Sequence, residues 1–166
     1  MPTGTMELVI GLDEDNRTGS GLWGVQSSST VLNTSRPFSV IAAHFKPGGS
    51  FPFFGMPAGE FQDLGVSLEM VWGKYAHQVR EQLLEARTHE ARFRILELAL
   101  IQASRGHLGR HQAVQYALRE FGNAEYPRSV AEVTEQIGLS ARRFIEIFRD
   151  EVGVPPKLYS RIQRFR

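Results

Sequence analysis

No cysteine occurs anywhere in the 166 residues. Disulfide frameworks, thiolate zinc sites and a cysteine nucleophile are thereby excluded, and cytoplasmic residence is the expectation that fits. Long hydrophobic runs are missing too. None approaches the roughly 18 residues that a membrane-spanning helix needs, so no membrane partner is expected. The opening string MPTGTMELVI has no basic segment followed by an apolar run and a cleavage site, and it does not read as a signal peptide. Charge of one sign is scarce: 19 Lys/Arg stand against 18 Asp/Glu, a formal net charge of +1. A chain coated in nucleic acid along its whole length would be far more basic. There is no internal repeat and no low-complexity tract.

Catalytic and metal constellations are absent as well. Gly48-Gly49-Ser50 is not a phosphate loop, because no Gly-Lys-Ser/Thr follows. Asp13-Glu14-Asp15-Asn16 fails as a calcium loop: Thr18 stands where the turn glycine is needed and Gly24 where the bidentate Glu is needed. A polar hairpin turn is the plainer reading. His107 and His111 are four apart, but Gly109 lies between them and no acidic third ligand is near, so they read as a surface pair. His44, in an apolar strand, reads as a satisfied core or edge histidine rather than a ligand-cavity residue. Trp23, Trp72, Phe45, Phe51, Phe53 and Phe54 suit an aromatic effector pocket or, more simply, plain core. The expectation is therefore no enzyme, no metal and no cofactor, with any small-molecule effector unknown.

What the chain does contain is a change of period and a change of charge. Residues 6–12, 21–26, 30–32 and 38–45 are short apolar stretches separated by Asp, Asn, Ser, Gly and Pro, the pattern of a small antiparallel sheet of about four strands. After Pro57 the spacing becomes helical. Trp72, Tyr75, Ala76, Val79 and Leu83 form one stripe. Thr88 caps the next helix, striped by Phe93, Leu96, Leu100 and Ile101. Ala113, Val114, Ala117, Leu118 and Phe121 stripe another, which Gly122 stops. The expected fold class is α+β: a small antiparallel β module at the N-terminus, then helices, then an all-α helix-turn-helix module. The domain reading is a sensing or dimerisation module over 1–106, β-rich in 1–55 and helical in 57–106, and a DNA-binding module over 107–166. Residues 128–166 carry eight Lys/Arg and five Asp/Glu, whereas 1–127 carry eleven and thirteen. A basic end on a near-neutral body suits a polyanion, although a solvated, frayed tail has the same composition.

The strongest local pattern begins at Ser129. With Glu132 three residues on, Ser129 makes a capping box. Val130, Val133 and Ile137 share a face, Gly138 permits the left-handed turn that ends a helix, and Leu139 plugs the turn. Ser140 caps a second helix whose Phe144, Ile147, Phe148 and Val152 share a face. The three-residue gap is that of a helix-turn-helix. On the other face lie Arg142, Ile145, Glu146 and Arg149, with Arg143 beside them. The first part of the second helix of such a unit enters the major groove. Arg142 suits a guanine edge, Ile145 a thymine methyl and Glu146 a cytosine amino group, while Arg143 and Arg149 suit phosphates. An ordinary helical hairpin with a charged outer face has the same pattern.

From Ser129 onward, SVAEVTEQIGLSARRFIEIFRDEVGVPPKLYSRIQRFR closely resembles the first half of an AraC-type DNA-binding domain. The resemblance rests on Gly138-Leu139-Ser140, Phe144, Phe148, Glu151-Val152-Gly153, Pro156, Tyr159, Arg161 and Arg164. Thr134 replaces the family's usual Ala, and Glu146 stands where many members carry a basic or amide residue. At the front, Pro2-Thr3-Gly4-Thr5-Met6-Glu7-Leu8, VIAAHFKP, Phe61-Gln62-Asp63 and Leu68-Glu69-Met70-Val71-Trp72-Gly73 resemble the N-terminal domain of one AraC-type subgroup, with Thr3 in place of the usual Asp. The resemblance covers nearly the whole chain.

It implies a transcription regulator whose partner is double-stranded DNA, with a possible homodimer through the N-terminal module. The DNA-binding residues it implies are Ser140, Arg142, Arg143, Ile145, Glu146, Arg149, Arg161 and Arg164. Domains of this type have two helix-turn-helix units, and this sequence stops within or just after the linker helix that follows the first. A single unit reads few base pairs, so the expectation for a monomer is weak, strongly salt-sensitive binding. The rival reading is a shortened interaction module that pairs with a full-length regulator and does not bind DNA by itself.

Overall fold

The computed structural model describes residues 4–13, 19–28, 38–104, 109–123 and 128–164. Its sheet starts from β1 (Glu7–Gly11), where Leu8 and Ile10 point into the core and Glu7 and Val9 to the other, half-covered face, as strand alternation requires. β1 is flanked antiparallel by β2 (Gly21–Trp23) and β3 (Val40–His44). The partners Glu7 and His44 are 3.2 Å apart across the β1–β3 ladder, His44 Nδ1 to Glu7 Oε1, so His44 is an exposed edge residue rather than a cavity liner.

The fourth strand is β4 (Gly65–Ser67), which pairs with β2 and completes the order β3-β1-β2-β4. This differs from the expectation that 57–106 is purely helical. Three residues are too few to show a period, and the pairing is set by a partner more than 40 residues away. The expected strand at 30–32 and the turn at 14–18 lie outside the described residues. A second difference is α1 (Phe51–Phe54), a one-turn helix inside the segment read as β, begun by Pro52 in its first turn and stopped by Gly55.

Three helices follow: α2 (Leu68–Trp72), which lies on β2 and β4, α3 (Lys74–Glu85), which packs on α2, and α4 (His89–Ala103), which packs on α3 and α1. The stripe from Trp72 onward is cut at Gly73, so Trp72 ends one helix and Tyr75 lies in the first turn of the next. Phe45, Phe53, Phe54, Trp72 and Tyr75 stack in series with centroids 5.4–6.4 Å apart. They fill space as core. The Trp72 indole N–H donates to the Phe53 carbonyl at 3.2 Å, and the Tyr75 hydroxyl donates to Gln102 on α4 at 2.9 Å. Thr88 caps α4 by accepting from the Ala91 amide at 3.1 Å. On α4 the buried residues are Leu96 and Ala99, while Phe93 and Ile101 of the expected apolar stripe are 62% and 59% exposed.

The chain then forms α5 (Gln112–Phe121), α6 (Val130–Ile137), α7 (Ala141–Val152) and α8 (Pro156–Arg164). Phe121, Phe144, Phe148 and Tyr159 interlock at their centre, with centroids 5.6–6.3 Å apart. This cluster is continuous with the core of the sheet module. Gly4 lies against Tyr159 and Ile162, Gly48 against Leu118 and Val152, and Gly153 against Val25 and the Ala58 carbonyl. A 3-10 turn at Ala58–Phe61 packs on α7. Among the described residues no helix is long and apolar enough to cross a membrane.

Candidate nucleic-acid interface

The α6–turn–α7 unit is built by local chemistry. Ser129 Oγ accepts the Glu132 amide at 3.2 Å and Glu132 Oε2 accepts the Ser129 amide at 2.7 Å, a closed capping box. Hydrogen bonding from Ser129, its hydroxyl first and its amide second, holds the Glu132 carboxyl below its ordinary range, with desolvation opposing and the nearby Arg128 charge assisting. Gly138 ends α6 at φ 70°, ψ 16°, the left-handed conformation that lets the chain turn within three residues. Ser140 then caps α7, accepting the Arg143 amide at 3.3 Å.

Over the first two turns of α7 the structure brings together four of the expected site residues. Arg142, Arg143, Ile145 and Glu146 are all exposed. Glu146 divides its carboxylate: Oε1 is 3.2 Å from Arg142 Nε and Oε2 is 3.6 Å from Arg143 Nη1. Beside them runs an open groove of about 510 Å³ floored by Val130, Pro155 and Leu158 and edged by Ser129, Lys157 and Arg161. Ile145 closes a neighbouring hollow of about 370 Å³ with Val130 and Pro156. Arg161 edges the first hollow and Ile145 the second, and the two hollows share Val130, Pro155 and Lys157. Lys157, one turn before Arg161 on α8, belongs to the same edge and was signalled in the sequence only by its place in residues 157–166, which hold four Lys/Arg and no Asp/Glu.

Two expected residues stand apart. Arg149 lies on the last turns of α7, with its stem across Gly59 of the 3-10 turn and Nη2 at 3.5 Å from the Gly59 carbonyl. Arg164 ends α8, and its side chain lies outside the described residues. The arginine preceding the unit, Arg128, is engaged away from it: Nε is 3.2 Å from Glu120 and Nη1 donates to the Tyr116 hydroxyl at 3.2 Å. Glu151 is buried behind α7, where it accepts the His111 amide at 2.9 Å and so holds the start of α5. His111 caps α5 itself, its Nδ1 accepting the Ala113 amide at 3.2 Å; His107 lies outside the described residues. Among the described residues no group of three His, Cys, Asp or Glu is placed to hold a metal ion.

Residues 1–67 match a family model described as a domain of unknown function, DUF6597. That match spans the four-stranded sheet with α1 and the 3-10 turn, and stops before α2. No curated protein and no solved structure matches the chain.

Proposed function

We propose that the chain is a DNA-binding transcription regulator of the AraC type, with α7 as its base-reading helix. One observation supports this best. The first two turns of α7 present two arginines, an isoleucine and a glutamate to solvent, next to an edge carrying Lys157 and Arg161. In this reading Arg142 meets guanine, Ile145 a thymine methyl and Glu146 a cytosine amino group. Arg143, Lys157 and Arg161 meet phosphates, and Ser140 supports the helix end. A single reading unit neutralises few phosphates, so binding is weak, and its log affinity falls with log salt only in proportion to those few contacts. Fluorescence anisotropy of a labelled mixed-sequence duplex, titrated at several salt concentrations, tests it. The expected outcome is a straight fall of log affinity with log salt. Absence of binding at the lowest salt removes the proposal.

A second reading rests on α4. Phe93, Leu98 and Ile101 are exposed there at 62%, 49% and 59%, alongside Arg94 and Glu97. Singly exposed apolar residues are ordinary, but three on one helix form a patch that suits association. This favours a dimerisation role for the N-terminal module, which would set two reading helices at a fixed spacing. Sedimentation of the wild type against Phe93→Glu/Ile101→Glu distinguishes a dimer from a monomer.

A further inference from the structure

The groove between α6 and α8 has a floor that phosphate contacts leave unused. Val130, Pro155 and Leu158 form it, and the neighbouring hollow continues it through Pro156 to Ile145, which is 42% exposed. The cause is the way α8 packs. Tyr159 and Ile162 turn its inner face into the core, while Lys157 and Arg161 stay in solvent and Leu158 is half-buried between. Pro156 opens the helix and Pro155 precedes it. Neither has a backbone N–H, so two of the donors that a helix start can offer an anion are missing there.

The charge along the groove is one-sided. Lys157 and Arg161 are the charged residues lining the two hollows, and no Asp or Glu lines either. Glu132, the acid on the first turn of α6, is turned back onto the Ser129 amide at 2.7 Å. An apolar floor with a cationic edge selects by two rules at once. Apolar side chains leave water on the floor, and carboxylates beside them meet the two cations. The backbone of a duplex satisfies only the second, since phosphate and sugar bury no apolar side chain.

We propose that this groove docks an acidic amphipathic helix of a partner protein, its apolar stripe on Val130, Leu158 and Ile145 and its carboxylates against Lys157 and Arg161. A helix laid in such a groove contributes anchors at i, i+3, i+4 and i+7 from one face. The proposal does not need the DNA reading. It gives to carboxylates two cations which that reading gives to phosphates, so where both hold, peptide and duplex compete.

The test uses the full chain, nitrogen-labelled, with amide chemical shifts followed as a synthetic helix is added. The probe has leucines at i, i+3, i+4 and i+7, glutamates flanking them and no basic residue. The expected result is a saturable shift of the Val130, Ile145, Lys157 and Leu158 amides, with those of α4 unmoved. Serines in place of the leucines, or lysines in place of the glutamates, abolish the shift. Lys157→Ala/Arg161→Ala changes two exposed side chains and weakens the acidic peptide by about fivefold for each pair lost, the worth of unit charges about 4 Å apart in water. No shift at millimolar peptide overturns the proposal, as does equal binding of the lysine peptide or unchanged affinity in the double variant. Other occupants leave other patterns, and either overturns it too. Groove shifts on raising the protein concentration alone identify a second copy, and floor shifts with a duplex but not with the peptide identify nucleic acid. Peptide binding with no duplex binding at low salt keeps the docking site and removes the DNA reading; duplex binding at α7 with no peptide binding does the reverse.

Discussion

Arg142 Nε lies 3.2 Å from Glu146 Oε1, one turn along α7, with both side chains in solvent. The other carboxylate oxygen faces Arg143, so one acid sets the direction of two arginines. An exposed i,i+4 pair adds only about 0.3–0.5 kcal/mol to the helix. Its larger consequence concerns a polyanion, because the same carboxylate opposes phosphates approaching both arginines. A unit charge about 4 Å away in water is worth about 1 kcal/mol, or roughly fivefold in affinity. Glu146→Gln is therefore expected to keep its melting temperature, to bind a mixed-sequence duplex about fivefold more tightly at low salt, and to lose any preference for cytosine at one position. Anisotropy titrations and a randomised-site selection check both parts. Unchanged affinity with a retained cytosine preference would exclude this role for the carboxylate.

Gly138 is expected to be the most sensitive position of the turn for backbone reasons alone. Its φ is 70°, and nothing lies within 4 Å of where a Cβ would stand. Gly138→Ala thus meets no clash, and its cost is that of the left-handed conformation, about 1–2 kcal/mol. Gly138→Asn costs less, since asparagine tolerates that region. Urea midpoints give the order wild type, Asn, Ala. If Ala matched the wild type, the turn would have relaxed out of the left-handed conformation.

These features were legible in the sequence because their causes are local. Ser129 with Glu132, Ser140 and Thr88 each act on amides within three residues, Gly138 acts through its own backbone freedom, and the apolar face of Phe144, Ile147, Phe148 and Val152 repeats with the helix. The features that escaped have distant causes. β4 exists because Gly65–Ser67 meets β2, and its three residues carry no period of their own. Of the stripe Phe93, Leu96, Leu100 and Ile101, Leu96 is buried and Leu100 partly covered while Phe93 and Ile101 are exposed, so packing used only part of the face that periodicity named. Arg149 and Gly59 are 90 positions apart, and no window of sequence joins them. The candidate interface was therefore readable over Ser140–Glu146, while the fate of the last turns of α7 was not.

Asp63 carries a testable acid dependence. It is the only non-glycine with positive φ among the described residues, at 59°. Its carboxylate is held by Ser27, whose amide donates to Oδ1 at 2.6 Å and whose hydroxyl donates to Oδ2 at 2.9 Å. The Ser27 amide is the main reason its acidity is strengthened, with burial opposing and the Ser27 hydroxyl and Gln62 assisting. A carboxyl lowered on folding stabilises the fold at pH above its unfolded value of 3.8, and that share is lost as pH falls through the lower folded value. Asp63→Asn keeps a residue suited to positive φ and removes the charge. It should cost less than about 1 kcal/mol at neutral pH, reduced by solvent screening, and should show a shallower loss of stability toward acid. Parallel acid limbs for the two proteins would mean that Ser27 does not favour the charged form.

Glu151 has the opposite sign. It is 6% exposed, one oxygen accepts the His111 amide at 2.9 Å, and the other is buried without a hydrogen-bond partner. Burial pushes its carboxyl above the ordinary 4.5, outweighing the His111 amide and the charges of His111 and Arg110, while Asp150 adds to the rise. A carboxyl raised on folding has no cost below its unfolded value; the cost develops as pH climbs through the raised folded value and is complete above it. Glu151→Gln keeps an oxygen for the His111 amide and abolishes the titration. Relative to wild type, the variant should gain stability as pH rises from about 4 to about 8, read as a growing difference in urea midpoint. If the wild type gained on the variant over that range, the charged form would be the favoured one. The positive start of α5 and Arg110 would then outweigh burial, and Glu151 would act as an ionic anchor between α5 and α7.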